Sequence, residues 1–121
     1  MKLFDASALL AFLQEEDGYQ IVEHELDESA RCSAANWSEV AQKVLAHGGD
    51  WSLARSLLRS YGLRVEPVLE TDAERAAALW RRGSGLSLAD RICLATAERL
   101  AAPVWTADVV WGASPTVVQV R

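Results

Sequence analysis

Apolar positions along the chain follow two rhythms, short unbroken runs and helical stripes, and the switches between them mark its elements. Lys2-Leu3-Phe4 reads as a first strand, and residues 6–13 continue with a helical composition, with Asp5 at the junction. Gly18 interrupts the pattern, and Tyr19, Ile21, Val22 and Leu26 then outline a second helix with one apolar face. Arg31-Cys32 forms a weak second strand. Ser33 or Asn36 can cap the helix that follows, which runs to about His47 with Val40, Val44 and Leu45 as its stripe and Gly48-Gly49 as its stop. Asp50 caps another helix, carrying Trp51, Leu53, Ala54, Leu57, Leu58 and Tyr61 at helical spacing and ending at Gly62. Residues 63–69 are rich in Val and Leu and read as a third strand, with Pro67 placing it at a sheet edge. Thr71 or Asp72 caps a helix through Trp80, and Gly83 and Gly85 follow it. Ser87 caps a helix over 88–100, residues 103–106 make a fourth strand, and residues 116–120 a fifth.

Strands alternating with helices predict an α/β domain: a parallel sheet of four to five strands, covered on both faces in three layers. In such folds ligands collect beyond the carboxyl ends of the strands. Polar residues at those ends therefore count for more than polar residues elsewhere.

The chain has 121 residues, the size of one domain, and half of them are hydrophobic, which excludes a disordered chain. No Pro/Gly/Ser-rich linker or internal repeat divides it. Asp5 interrupts the apolar opening, so a secretory signal is not expected, and no run approaches the roughly 20 apolar residues of a membrane span. Cys32 and Cys93 have no metal-ligand spacing and sit within apolar patterns, as buried reduced thiols do. Together these features point to the cytoplasm. The net charge of −5 argues against a general nucleic-acid binder, unless part of the acid is gathered into one site that needs cations.

Four carboxylates fit that description. Asp5 follows the first strand, Glu39 lies early in the helix after the second, Asp90 stands in the first turn of the helix capped by Ser87, and Asp108 lies just past the fourth strand. Each has a plain structural explanation. Asp5 can cap a helix, Asn36-Trp37-Ser38-Glu39 and Ser87-Leu88-Ala89-Asp90 fit capping boxes, and Asp108 suits a turn. Yet Asp5 and Asp90 are embedded among apolar residues. An unpaired charge near a core costs several kcal/mol, so both need a partner, and a bound cation is one.

At this point the residues resemble a known family. Phe4-Asp5-Ala6-Ser7-Ala8-Leu9-Leu10-Ala11 is similar to the first motif of PIN domains, in particular of the VapC-type toxins of toxin–antitoxin pairs. Ser38-Glu39-Val40 looks like their second motif, the stretch from Leu86 to Ala95 around Asp90 like their third, and Thr106-Ala107-Asp108 like their fourth. The resemblance implies a PIN-like α/β/α domain spanning residues 1–121, a Mg²⁺- or Mn²⁺-dependent endoribonuclease, a homodimer, and a cognate VapB-type antitoxin as partner. It makes Asp5, Glu39, Asp90 and Asp108 the catalytic and metal-site acids, with Ser7 and Thr106 as supporting hydroxyls. One departure is Val109-Val110-Trp111, where the family leads one to expect a more polar loop.

Hard divalent cations prefer oxygen ligands, and a metal-bound water is acidic enough to attack a phosphodiester. Asp5 and Asp90 are expected to ligate directly, with Asp108 and Glu39 ligating through water, holding a second ion or orienting the nucleophile. An acidic pocket needs arginines to guide the RNA backbone, and Arg81, Arg82 and Arg91 are the candidates, ahead of Arg55 and Arg59. Of the five tryptophans most are expected in the core, and His24 and His47 on exposed helix surfaces. Two rival enzymes fail on residue type. A receiver-type signalling site needs a lysine after a late strand, but the only lysines are Lys2 and Lys43, and an aspartate-nucleophile phosphatase needs Asp-x-Asp where this chain has Asp5-Ala6-Ser7. The remaining alternative is a non-catalytic interaction module whose acids are structural caps.

Overall fold

A computed structural model describes residues 1–121. Five strands, β1 (Lys2–Phe4), β2 (Ala30–Ser33), β3 (Arg64–Glu66), β4 (Val104–Thr106) and β5 (Val117–Gln119), form one sheet in the order β3-β2-β1-β4-β5. Every pairing is parallel, with Leu3 of the central strand aligned to Arg31 on one side and Val104 on the other. The helices are α1 (Ala6–Leu13), α2 (Tyr19–Glu25), α3 (Ala34–Ala46), α4 (Trp51–Ser60), α5 (Glu70–Ala78) and α6 (Leu88–Leu100). The three-layer α/β fold expected from the sequence is thus the one observed.

Side chains of successive strand residues point to opposite faces, and the core divides accordingly. Phe4 faces α1 and α3 in a large cluster that includes Leu9, Phe12, Val22, Val40, Leu58 and Leu63. Trp105, one strand over, stacks on Phe4 at 6.1 Å between ring centroids. Leu3 and Val104 point the other way, onto Cys93 and Ala97 of α6. Cys32 and Cys93 are both free and fully buried, and burial pushes both thiols well up, so they act as small apolar side chains.

Several boundaries differ from the expectation for local reasons. The third strand covers only Arg64–Glu66, because Pro67 has no N–H to continue the ladder; it does lie at the edge. The N-cap of α5 is Leu69, not Thr71 or Asp72. Asp72 stands three residues later and reaches back, accepting from the Leu69 amide at 3.0 Å while Arg99 of α6 donates to its carboxylate at 2.9 Å. That charge assistance holds Asp72 below the usual carboxylate range despite its burial. Ser33, not Asn36, caps α3, and Asn36 sits in its first turn. Four of the five tryptophans pack half-buried against the core, as expected of most of them, and Trp80 is exposed. No helix is long and apolar enough to cross a membrane.

The β2 strand is set in place from behind by Gly62. Its φ of +102° is costly for other residues, and an added Cβ would lie 2.8 Å from the backbone of Asp27 and Glu28, just before β2. Gly62→Ala is therefore expected to lower unfolding free energy by more than about 1 kcal/mol in urea denaturation, and an unchanged midpoint would refute this account.

Candidate active site

In a parallel sheet all strands end at one edge, and here the order reverses between β1 and β4, since β2 and β3 lie on one side of β1 and β4 and β5 on the other. Crevices at such switch points are where open α/β sheets bind ligands. Asp5 leaves β1 at that point and Asp108 follows β4. The N-terminal turns of α3 and α6 bring in Glu39 and Asp90. All four line one pocket of about 180 Å³, together with Ser7, Ser87 and Lys43.

Asp5 is the innermost of the four, at 2% exposure. Its Oδ1 accepts from the Ser7 hydroxyl at 2.7 Å and from the Ala8 amide at 2.9 Å, the latter capping α1. Its Oδ2 accepts from the Thr106 hydroxyl at 2.5 Å. The same two hydroxyl oxygens accept from the chain after β4: Ser7 from the Ala107 amide at 2.9 Å, Thr106 from the Asp108 amide at 3.0 Å. With each hydroxyl proton given to Asp5, both lone-pair sites turn towards backbone amides, and the loop bearing Asp108 is tied to the Asp5 carboxylate through them.

Three hydrogen bonds favour the ionised carboxylate, yet removal from water outweighs them. Burial, aided by the nearby Asp90 charge, raises Asp5 from the ordinary 3.8 to about 6. At neutral pH Asp5 still carries its charge, held in a setting that disfavours it.

The other three acids are half-buried, and each is tethered through one oxygen. Asp90 Oδ2 accepts from the Ser87 amide at 2.9 Å while the Ser87 hydroxyl accepts from the Asp90 amide at 3.2 Å, a complete capping box. Asp108 Oδ1 accepts from the Val110 amide at 2.9 Å and starts the 3₁₀ turn Val109–Trp111. Glu39 Oε1 accepts from the Asn36 side chain at 2.8 Å, and fully buried Asn36 is in turn fixed by Ser33 at 3.1 Å. This replaces the expected Asn36–Glu39 capping box: Asn36 orients Glu39 and caps nothing. The opposite oxygens, Asp90 Oδ1, Asp108 Oδ2 and Glu39 Oε2, have no partner within the protein. Asp5 Oδ2 keeps one lone pair beyond its bond from Thr106.

As the side chains stand, no three of these acids close tightly enough to enclose a bare ion. A ring of hard oxygen donors set apart around a pocket, three with one oxygen free and Asp5 with a spare lone pair, fits a cation that keeps several of its waters, as Mg²⁺ does.

The arginines expected near the pocket are not brought to it. Arg91 turns to α5, where its Nη1 donates to the Ala76 carbonyl at 2.9 Å. Arg81 bonds the Ala78 and Trp80 carbonyls at 3.2 and 2.9 Å, closing the end of α5, and Arg82 is exposed outside the pocket. The cation that does line the pocket is Lys43, which sequence reasoning missed. The signal was its place four residues after Glu39, which puts both on one helix face. His24 and His47 are exposed, as expected. The Val109-Val110 departure forms an apolar lip beside Asp108, with Val109 78% exposed.

Because the folded value of Asp5 lies above the ordinary one, the folded protein retains a proton that the unfolded chain releases between about pH 4 and pH 6. Stability contributed by Asp5 therefore falls as pH rises through that window. In metal-free protein, Asp5→Asn should gain stability relative to the wild type, by up to about 3 kcal/mol, between acidic and neutral pH in chemical unfolding. A difference that does not change with pH would contradict the burial of this charge.

The chain matches the PIN-domain family over residues 2–111. Sequence comparison with curated proteins gives no match. Among solved structures it is similar to a toxin–antitoxin complex from Klebsiella pneumoniae, at TM-score 0.82 and 23% identity over 100% of this chain and 98% of that one. It is also similar to VapC20 of Mycobacterium tuberculosis, a sarcin–ricin loop cleaving toxin, at TM-score 0.70 and 16% identity over 88% of each chain. A third is VapBC2 from Rickettsia felis bound to a promoter DNA fragment, at TM-score 0.64 and 13% identity over 98% of this chain and 96% of that one. At these identities the likeness to each structure is one of fold, whereas the family match covers nearly the whole chain: the protein belongs to the PIN-domain family.

Proposed function

We propose that the protein is a divalent-metal-dependent endoribonuclease and the toxin of a type II toxin–antitoxin pair. The observation that carries this reading is the pocket itself: acids from four separate stretches of sequence meet at the sheet's switch point, three with one oxygen uncommitted and Asp5 with a spare lone pair on Oδ2. Caps alone explain one oxygen of Asp5, Asp90 and Asp108, but not why all of them border the same cavity as Glu39. The nuclease and toxin reading is further supported by membership of the PIN-domain family and by folds shared with toxin–antitoxin proteins, one of which cleaves the sarcin–ricin loop.

In this reading Asp5 and Asp90 hold Mg²⁺ or Mn²⁺ directly, and Glu39 and Asp108 act through its waters. When bound, the ion supplies an acidified water and offsets charge on the phosphoryl oxygens. The protein's own part is to fix the donors. Ser7 and Thr106 keep Asp5 from rotating, the capping box holds Asp90, and Asn36 holds Glu39. The partner is a VapB-type antitoxin, and the working form a homodimer. Exposed Leu45, Leu53 and Leu57 on α3 and α4 supply apolar surface for such contacts to cover.

The test is incubation of the purified chain with mixed RNA in Mg²⁺ or Mn²⁺, beside EDTA and the variants Asp5→Asn and Asp90→Asn, each checked for folding. Cleavage is expected with metal, is abolished by EDTA, and falls roughly 100-fold or more in each variant. Metal binding without cleavage would mean that the site is right and the substrate wrong. Variants that bind as little metal as the wild type, and are merely less stable, would return the acids to a purely structural role and leave a non-catalytic interaction module.

A further inference from the structure

We infer that Lys43 is the residue that seats the RNA backbone against the acidic pocket, by contact of its ammonium with a phosphate; this rests on the nuclease reading above. A pocket walled by four carboxylates repels a polyanion, and a single divalent ion offsets only part of that charge. Some fixed cation must face the approaching strand. Among the residues lining the pocket, Lys43 is the one that carries positive charge.

Its ammonium is also free. Five other basic side chains are committed to ion pairs: Lys2, Arg31, Arg75, Arg99 and Arg121. Lys43 has no carboxylate within ion-pairing distance and donates no hydrogen bond, although Glu39 stands four residues before it in the favourable order for a helical pair. Glu39 is taken by Asn36 instead. A lysine whose task was to neutralise the acids would touch one of them. Left unpaired, Lys43 keeps three donors, and a helical side chain covers the turn before its own Cα, which directs this one towards Glu39 and the sheet edge. A compact point charge on a flexible stem suits phosphate without fixing base identity.

The test uses a fluorophore-labelled single-stranded RNA of mixed sequence in Mg²⁺, with wild type, Lys43→Met and Lys43→Arg. Position 43 is exposed, so both variants are expected to fold. Lys43→Met should raise KM about tenfold, with the loss falling mainly on KM and not on kcat. It should also flatten the dependence of log kcat/KM on log salt by about 0.7, the value of one lost single-strand phosphate contact. Lys43→Arg should recover most of both, and Mn²⁺ affinity read by electron paramagnetic resonance should not change. Unaltered KM and salt slope in Lys43→Met, with active wild type, overturn the assignment while the nuclease reading stands. A changed Mn²⁺ affinity with an unchanged slope also overturns it, making Lys43 a tuner of the metal site. Wild type that neither binds nor cuts RNA overturns both.

Discussion

A carboxylate with almost no contact with water holds the working edge of this fold together. Asp5 receives hydrogen bonds from the start of α1, from Ser7 and from the end of β4, and through Ser7 and Thr106 it fixes the amides of Ala107 and Asp108. Charge-assisted bonds of this kind are about twice as strong as neutral ones, yet burial still raises the acid to about 6. The site therefore stores an unfavourable charge that the fold only partly compensates. A cation is the one partner that would complete the compensation without altering the protein's own bonds, and this couples the stability of the edge to its chemistry.

The capping and metal-site readings of the acids, which the sequence sets against each other, turn out to be compatible. A cap uses one carboxylate oxygen. For Asp90, Asp108 and Glu39 the tethering bond fixes the rotamer and leaves the second oxygen available at the pocket. The Asp90 cap was legible from local spacing alone and the tether on Glu39 was not, while the gathering of all four acids was legible only through the order of strands and helices. Asp90 joins the others because α6 starts at the strand-end edge.

Other features resisted sequence reading for identifiable reasons. Arg91 adjoins Asp90 in sequence, but neighbours on a helix diverge, and its guanidinium serves the Ala76 carbonyl on α5. The N-cap of α5 is an apolar Leu69, invisible to a search for Ser, Thr, Asp or Asn, because the Leu69 amide is satisfied by Asp72 in the helix's first turn, which Arg99 of α6 holds in place. Lys43 carries no signal of its own in the sequence, since nothing in the pattern shows that Glu39 is already taken by Asn36. In each case a contact made by tertiary packing outcompeted the local rule.

The pairing of β1 with β4 also has a consequence for synthesis. Asp5 meets Thr106 across 101 residues of chain, and Leu3 meets Val104 across as many. Contacts so distant in sequence form late, once the hundred residues between them exist. A nascent chain stopped anywhere before Thr106 lacks one wall of the pocket and the amides that position it. Whatever this pocket does, it does not do in fragments: β1 waits, inert, for β4.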